Sequence, residues 1–262
     1  MAVSEARVAE IAQALFTSET TRISLPPLTA TWQGLEVPDA YAIQMCNVRR
    51  ALVSGRRISG KKIGLTSKAM QELLGVPTPD FGHLFADMEV MDGKAPMSRM
   101  LQPRAEGEIA FVLSRDLDMA GEIRVADVMA CTEYVSPAIE IVDSRIADWK
   151  IGYVDTVSDN ASSGLYVVGK TRLDPRSFDL VAETMNLYLN GELKNSGLGS
   201  AVLGNPAACV AWLANTMRQY GTLLRKGEVI FSGALSAMIA VKAGDRVRAD
   251  FGRLGPVEVE FV

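Results

Sequence analysis

The chain has a single histidine, only three cysteines and only a small excess of negative charge, and each scarcity narrows the possible functions. With His83 alone, the sequence argues against a histidine-based metal site and against a Ser-His-Asp triad. Cys46, Cys131 and Cys209 are odd in number, widely spaced and set among apolar residues, so they read as reduced core residues of a cytoplasmic protein, with no disulfide or zinc site implied. Residues 2 to 17 are acidic and amphipathic, lacking the basic and apolar regions of a signal peptide, and no apolar run approaches the length of a membrane span. The net charge is −4, with both signs interspersed, which offers no footprint for nucleic acid or a membrane surface. A small anionic substrate would therefore need a local cation or a metal.

What is present is enough for a large core: 262 residues, 48% of them hydrophobic. One large domain, or one with a small appendage, fits that length. Val8, Ile11, Ala12 and Leu15 recur at helical spacing and predict a helix over 4–18. Residues 20–34 read as a loop. A second helix should start near Pro38-Asp39, with Tyr41, Met45, Val48 and Leu52 as its stripe. These two helices are expected to form an N-terminal cap, 1–57, on a β-rich catalytic core, 58–262, the whole being one compact unit. Beyond Ile58 short strands and glycine turns take over. A strand over 60–65 is followed by a short helix begun by Thr66 or Ser67 and stopped at Gly75, and then by a loop over 76–82, where Pro77 and Pro79 exclude regular structure. Asn190-Gly191 after Met185, Leu187 and Leu189 is the strongest hairpin signal. Asn205-Pro206 opens a helix with Cys209, Leu213, Met217 and Tyr220 inward. Strands over 229–232, 247–251 and 257–262 complete an α+β chain.

The chemistry centres on Gln102-Pro103-Arg104-Ala105-Glu106-Gly107-Glu108, which leads into an apolar strand. Alternation places Glu106 and Glu108 on one face, about 7 Å apart at Cα, a plausible bite for one hard cation. The same two residues would also suit a strand whose first turn merely faces water. Glu140, bracketed by apolar residues in the run 135–142, shifts the balance, because a carboxylate there should be paired, protonated or bound to metal. Three oxygen donors suit Mg²⁺ or Mn²⁺.

Five motifs in order, Gly60-Lys61-Lys62-Ile63-Gly64-Leu65-Thr66-Ser67, Pro79-Asp80-Phe81-Gly82, Pro103-Arg104-Ala105-Glu106-Gly107-Glu108, Ile139-Glu140-Ile141-Val142-Asp143-Ser144-Arg145 and Asp159-Asn160-Ala161-Ser162-Ser163, resemble the 2-oxopent-4-enoate (2-hydroxypenta-2,4-dienoate) hydratases of the fumarylacetoacetate hydrolase superfamily. The resemblance spans nearly the whole chain and is weakest before residue 37. It implies a mixed β-roll, barrel-like core with flanking helices, a Mg²⁺ or Mn²⁺ ion, and a homo-oligomer that could associate with a pathway decarboxylase or aldolase. Matched by position, Glu106, Glu108 and Glu140 become the metal ligands, Lys62 and Asp80 the catalytic pair, and Ser162 and Leu65 substrate-binding residues.

The implied reaction adds water to a 2-hydroxypenta-2,4-dienoate in the catabolism of aromatic compounds, giving 4-hydroxy-2-oxopentanoate, and needs an acid and a base near the far end of the substrate. Without the resemblance, Lys62 reads as a surface lysine and Asp80 and Ser162 as turn caps. The sister 4-oxalocrotonate decarboxylases share the three glutamates but differ at Asp80-Phe81-Gly82, which favours hydration. A non-catalytic partner subunit is a third reading, against which Lys62 and Asp80 speak. Ala234 stands where such hydratases tend to carry serine. For a longer diacid the only distal cation on offer is Arg145, and His83 is expected in a loop or at a rim.

Overall fold

The computed structural model describes residues 3–67, 71–72, 76 and 78–262. Helix α1 (Glu5–Thr21) begins where the Ser4 side chain accepts from the Arg7 N–H, and ends with Arg22 in the left-handed region. Its buried stripe is Ile11, Ala12, Leu15 and Ser18. The expected loop over 20–34 contains one helical turn, α2 (Leu28–Thr31), whose Leu28 is buried. Helix α3 (Val37–Val53) carries Pro38 in its first turn, and Asp39 accepts from the Glu36 N–H. Its inward face runs through Tyr41, Gln44, Val48 and Ala51, so Leu52, expected inside, is 45% exposed. Tyr41 and Val48 are buried and Met45 is half-buried, so only the last position of the expected stripe turns outward, with Ala51 buried in its place.

Two curled sheets carry the rest. The larger has strands β1 (Ile58–Gly64), β2 (Asp80–Phe85), β4 (Arg104–Leu113), β5 (Thr132–Val142), β6 (Ser163–Val168), β9 (Val229–Ala234) and β10 (Ile239–Ala240), in the order β2-β1-β9-β4-β5-β6 with β10 on β4. The smaller has β3 (Lys94–Ala95), β7 (Thr184–Leu189), β8 (Glu192–Leu198), β11 (Arg246–Phe251) and β12 (Gly255–Phe261), in the order β3-β12-β11-β7-β8. Asn190 and Gly191 both have positive φ and join β7 to β8, as a two-residue hairpin with right-handed strand twist requires. The sheets meet through the face of β4 opposite its glutamates. A Cβ on Gly107 would lie 2.9 Å from Met185 Sδ and 3.3 Å from Ala249 Cβ, so the two sheets pack closely at this glycine.

Short helices α4 (Val125–Cys131) and α5 (Tyr153–Ser158) and the longer α6 (Pro206–Gln219) flank the sheets. Asn205 caps α6 through the Ala207 N–H, and Cys209, Leu213 and Met217 are buried as expected. Tyr220 falls just past the end of α6 and is 45% exposed. The architecture is therefore α+β, with a helical N-terminal region on a curled mixed sheet. The expected loop over 76–82 is regular from Asp80 onward: Asp80, Phe81 and Gly82 pair with β1, because Pro79 precedes the first ladder position and removes no donor from it. Gly75 and Pro77, with most of the short helix expected before them, lie outside the described residues.

Candidate metal centre and active site

Pairing of β4 with β5 puts Glu106 directly opposite Glu140, and the pleat returns Glu108 to the same face two residues along. Candidate ligand oxygens of the three residues lie within 4.8 Å of one another. Burial and mutual repulsion push the Glu106 carboxyl up to about 8 and the Glu108 carboxyl well above the usual carboxylate range. Glu140 is fully buried, and neither of its oxygens has a directed hydrogen bond among the described residues. Lys62 Nζ lies 3.1 Å from Glu140 Oε1, an ion pair rather than a well-aligned hydrogen bond. Three converging, mutually repelling carboxylates, of which Glu140 is fully buried without a hydrogen bond among the described residues, fit a hard divalent cation, which would supply the missing charge and partners.

Glu108 is anchored from a third strand. The β4–β9 ladder is irregular between Glu108 and Ala110, so that Glu108 faces Ala234. Gly233, at φ 104°, turns its N–H onto Glu108 Oε2 at 2.7 Å. A side chain there would collide with Thr66 Oγ1, so the bulge requires glycine.

Lys62 and Asp80 reach the same region from the paired strands β1 and β2, where Lys62 faces Gly82 and Gly64 faces Asp80. Both charged groups are buried. Burial alone would favour the neutral amine at Lys62, but Glu140, Asp80, Glu106 and Glu108 outweigh it and hold the ammonium above its ordinary range. Burial pushes the Asp80 carboxyl up, against the opposing pull of Lys62 and a hydrogen bond from Thr156. A Cβ on Gly64 would run into Asp80 Oδ1, so that carboxylate occupies space only glycine leaves.

Ser162 arrives on a strained turn. Asn160, Ala161 and Ser162 have φ of 54°, 52° and 52°, a left-handed conformation costing roughly 1–2 kcal/mol per non-glycine residue. Two clasps hold it. Arg145 pairs with Asp159 and donates to the Asp143, Asp159 and Ser163 carbonyls, the last at 2.8 Å. The Asn160 side chain accepts from the His83 N–H at 2.8 Å and donates to the His83 carbonyl at 2.9 Å, tying the turn to the strand that carries Asp80.

Arg145 and His83, also singled out from sequence, sit differently from expectation. Arg145 is buried and committed to the turn, lining a separate cavity of about 100 Å³ with Arg22, Gln44 and Ser158, so it is no recognition group for a distal carboxylate. His83 is no rim residue: it is buried in β2, its imidazole held neutral by burial and by Lys61, with its pKa lowered to about 3. Lys61, beside Lys62, is also buried and pairs with Glu228 at 2.6 Å. Leu65 follows β1 at φ 56° and is partly buried, its carbonyl accepting from Gln71. Thr156, on α5, was not singled out from sequence: its hydroxyl donates to Asp80 Oδ2 at 3.3 Å and lies 3.4 Å from Ser162 Oγ. No motif marks it, since it lies between two of the recognisable stretches. Gly64 lay within a quoted motif and Gly233 beside Ala234, but their roles depend on neighbours distant in sequence.

Residues 81–262 match the profile of the fumarylacetoacetate (FAA) hydrolase C-terminal family. The chain is 48% identical over 253 residues to 2-keto-4-pentenoate hydratase of Paraburkholderia xenovorans (strain LB400), covering 96% of this chain and 94% of that one. It is also 48% identical over 252 residues to 2-hydroxyhexa-2,4-dienoate hydratase of Comamonas testosteroni, covering 95% of each. Among solved structures, 4-oxalocrotonate decarboxylase from Pseudomonas putida G7, complexed with magnesium and adipate, superposes with a TM-score of 0.95 at 31% identity, covering 99% of both chains.

Proposed function

The chain belongs to the fumarylacetoacetate hydrolase family, and from that premise we propose that it is a hydro-lyase adding water to 2-hydroxypenta-2,4-dienoate to give 4-hydroxy-2-oxopentanoate in the catabolism of aromatic compounds. The observation that carries this reading is the near-full-length likeness to hydratases at 48% identity, against 31% to the decarboxylase, whose backbone superposes closely all the same. Fold alone does not separate the two reactions; side chains do. Asp80, buried beside Lys62 and Thr156, supplies the additional proton-transfer group that hydration requires.

Glu106, Glu108 and Glu140 would hold Mg²⁺ or Mn²⁺, with magnesium and calcium both present in complexes of the decarboxylase relative. A divalent cation bound there supplies positive charge to the oxygens of the 2-oxo acid, where negative charge develops as the dienol becomes a ketone. The chain's own groups handle the protons. Asp80, its carboxyl favoured in the protonated form by burial, delivers a proton toward C5 of the dienoate. Lys62 stays charged against Glu140 and orients substrate and water, while the Asp80 carboxylate left after that transfer takes a proton from the water that adds at C4, and the proton released from the C2 hydroxyl balances the one gained at C3. Ser162 and Leu65 lie against the substrate. With Arg145 consumed by Asp159, a substrate with a single carboxylate fits better than a diacid.

A homo-oligomer is part of this reading, and sedimentation would measure it. The test of function is loss of dienoate absorbance with purified protein and Mg²⁺ or Mn²⁺. Release of CO₂ from 4-oxalocrotonate, without hydration, would instead establish the decarboxylase reading.

A further inference from the structure

We propose that Thr156 is a positioning residue that couples Asp80 to Ser162, an inference that rests on the hydratase reading for its kinetic consequence but on geometry for its substance. The hydroxyl of Thr156 is buried and has two oxygen neighbours, Asp80 Oδ2 at 3.3 Å and Ser162 Oγ at 3.4 Å. A hydroxyl carries one proton. When Thr156 donates to the Asp80 carboxylate, it can only accept from Ser162. The Ser162 proton is then directed inward, and its remaining lone pair faces the site as an acceptor for water. If Asp80 holds the proton, the same three oxygens can reverse direction, and Ser162 then presents a donor. The polarity of Ser162 thus follows the proton on Asp80, with Thr156 as the link.

The surrounding structure supports this placement independently. Helix α5 is capped by Asp155, which accepts from the Gly152 N–H and also from the Leu28 and Thr29 N–H groups, fixing α5 to the N-terminal region. Gln44 on α3 donates to both the Phe81 and Val157 carbonyls, holding the residue after Asp80 and the residue after Thr156 together. On the other side the left-handed turn brings Ser162 back toward α5, and Asn160 ties that turn to β2. Three elements distant in sequence are bolted to one another at their backbones, and the hydroxyl of Thr156 is where their side chains meet.

The experiment compares wild type, Thr156→Val and Thr156→Ser in the full chain. Valine keeps the shape and removes the hydroxyl, and serine restores it. In Thr156→Val we expect kcat on 2-hydroxypenta-2,4-dienoate to fall roughly 10- to 100-fold, with KM and Mg²⁺ affinity, measured by calorimetry, within about twofold. Thr156→Ser should recover most of the lost kcat. A crystal structure of Thr156→Val should show the Asp80 carboxylate or the Ser162 hydroxyl turned from its present direction. Unchanged kcat in the valine variant, a serine variant as slow as valine, or unmoved Asp80 and Ser162 would each overturn the proposal. If wild type does not hydrate the dienoate, the functional reading fails, while the crystal structure still decides the role of Thr156.

Discussion

Glu106 and Glu140 stand directly opposite each other across the β4–β5 ladder, a position in which like charges destabilise a sheet. Glu108 lies beside them, and Lys62, paired with Glu140, is the cation that compensates. A fold that keeps such a cluster bears a cost that a bound divalent cation removes.

Metal removal should therefore lower stability, and neutralising one carboxylate should raise it in the metal-free state. Wild type is expected to gain about 2.7 kcal/mol when Mg²⁺ is raised to 100 times its Kd, seen as a rise of several degrees in Tm. Glu106→Gln should unfold at higher temperature than wild type in EDTA and gain little on adding Mg²⁺. Differential scanning calorimetry with and without metal checks both arms; a Mg²⁺ response retained by the variant counts against Glu106 as a ligand.

The pH dependence follows from the same group. The Glu106 carboxyl is raised from 4.5 to about 8 in the metal-free folded state, chiefly by burial and then by Glu140. Between those values the folded chain binds more protons than the unfolded one, so this contribution to stability is present below about pH 4.5 and is lost as pH rises through 8. The full difference is up to about 5 kcal/mol. In EDTA, denaturant midpoints of wild type and Glu106→Gln should converge near pH 4.5 and separate progressively toward pH 8, with Mg²⁺ closing the gap. Parallel profiles would show that Glu106 is not the titrating group.

Removing the acid should stop chemistry without dismantling the centre. Asp80→Asn is expected to reduce kcat by roughly 10²–10⁴-fold while Mg²⁺ still binds with wild-type affinity. Gly64→Ala should reach a similar loss by another route, because the added methyl takes the space of Asp80 Oδ1. A crystal structure of the alanine variant with Asp80 undisplaced would refute the steric account.

Arg145 is a structural clasp and not a substrate contact. Arg145→Ala leaves Asp159 buried without its partner, and we expect destabilisation of about 3–5 kcal/mol, read from urea unfolding. At a temperature where the variant remains folded, its preference between monocarboxylate and dicarboxylate dienoates should match wild type. A selective change toward one of them would place the guanidinium in the substrate pocket after all.

The three clustered glutamates were legible in the sequence because strand alternation is a local rule: Glu106 and Glu108 share a face wherever that strand is placed, and Glu140 among apolar neighbours signals a carboxylate needing a partner, whereas Lys62, Asp80 and Ser162 were singled out only by the family resemblance. Caps and turns were legible for the same reason, Pro38 opening a helix and Asn190-Gly191 joining two strands through backbone preferences of their own. Which strands become neighbours is not local. The β4–β5 register that opposes Glu106 to Glu140, the bulge that turns the Gly233 N–H onto Glu108, and the reach of Thr156 to Asp80 all join residues far apart in the chain. Arg145 and His83 were misplaced from sequence because nothing near them in the chain tells whether a charged or polar side chain meets water or a buried partner. Local chemistry determined which groups were available, and long-range packing decided which of them face one another, since pairing energies depend on distances that only the closed fold brings about.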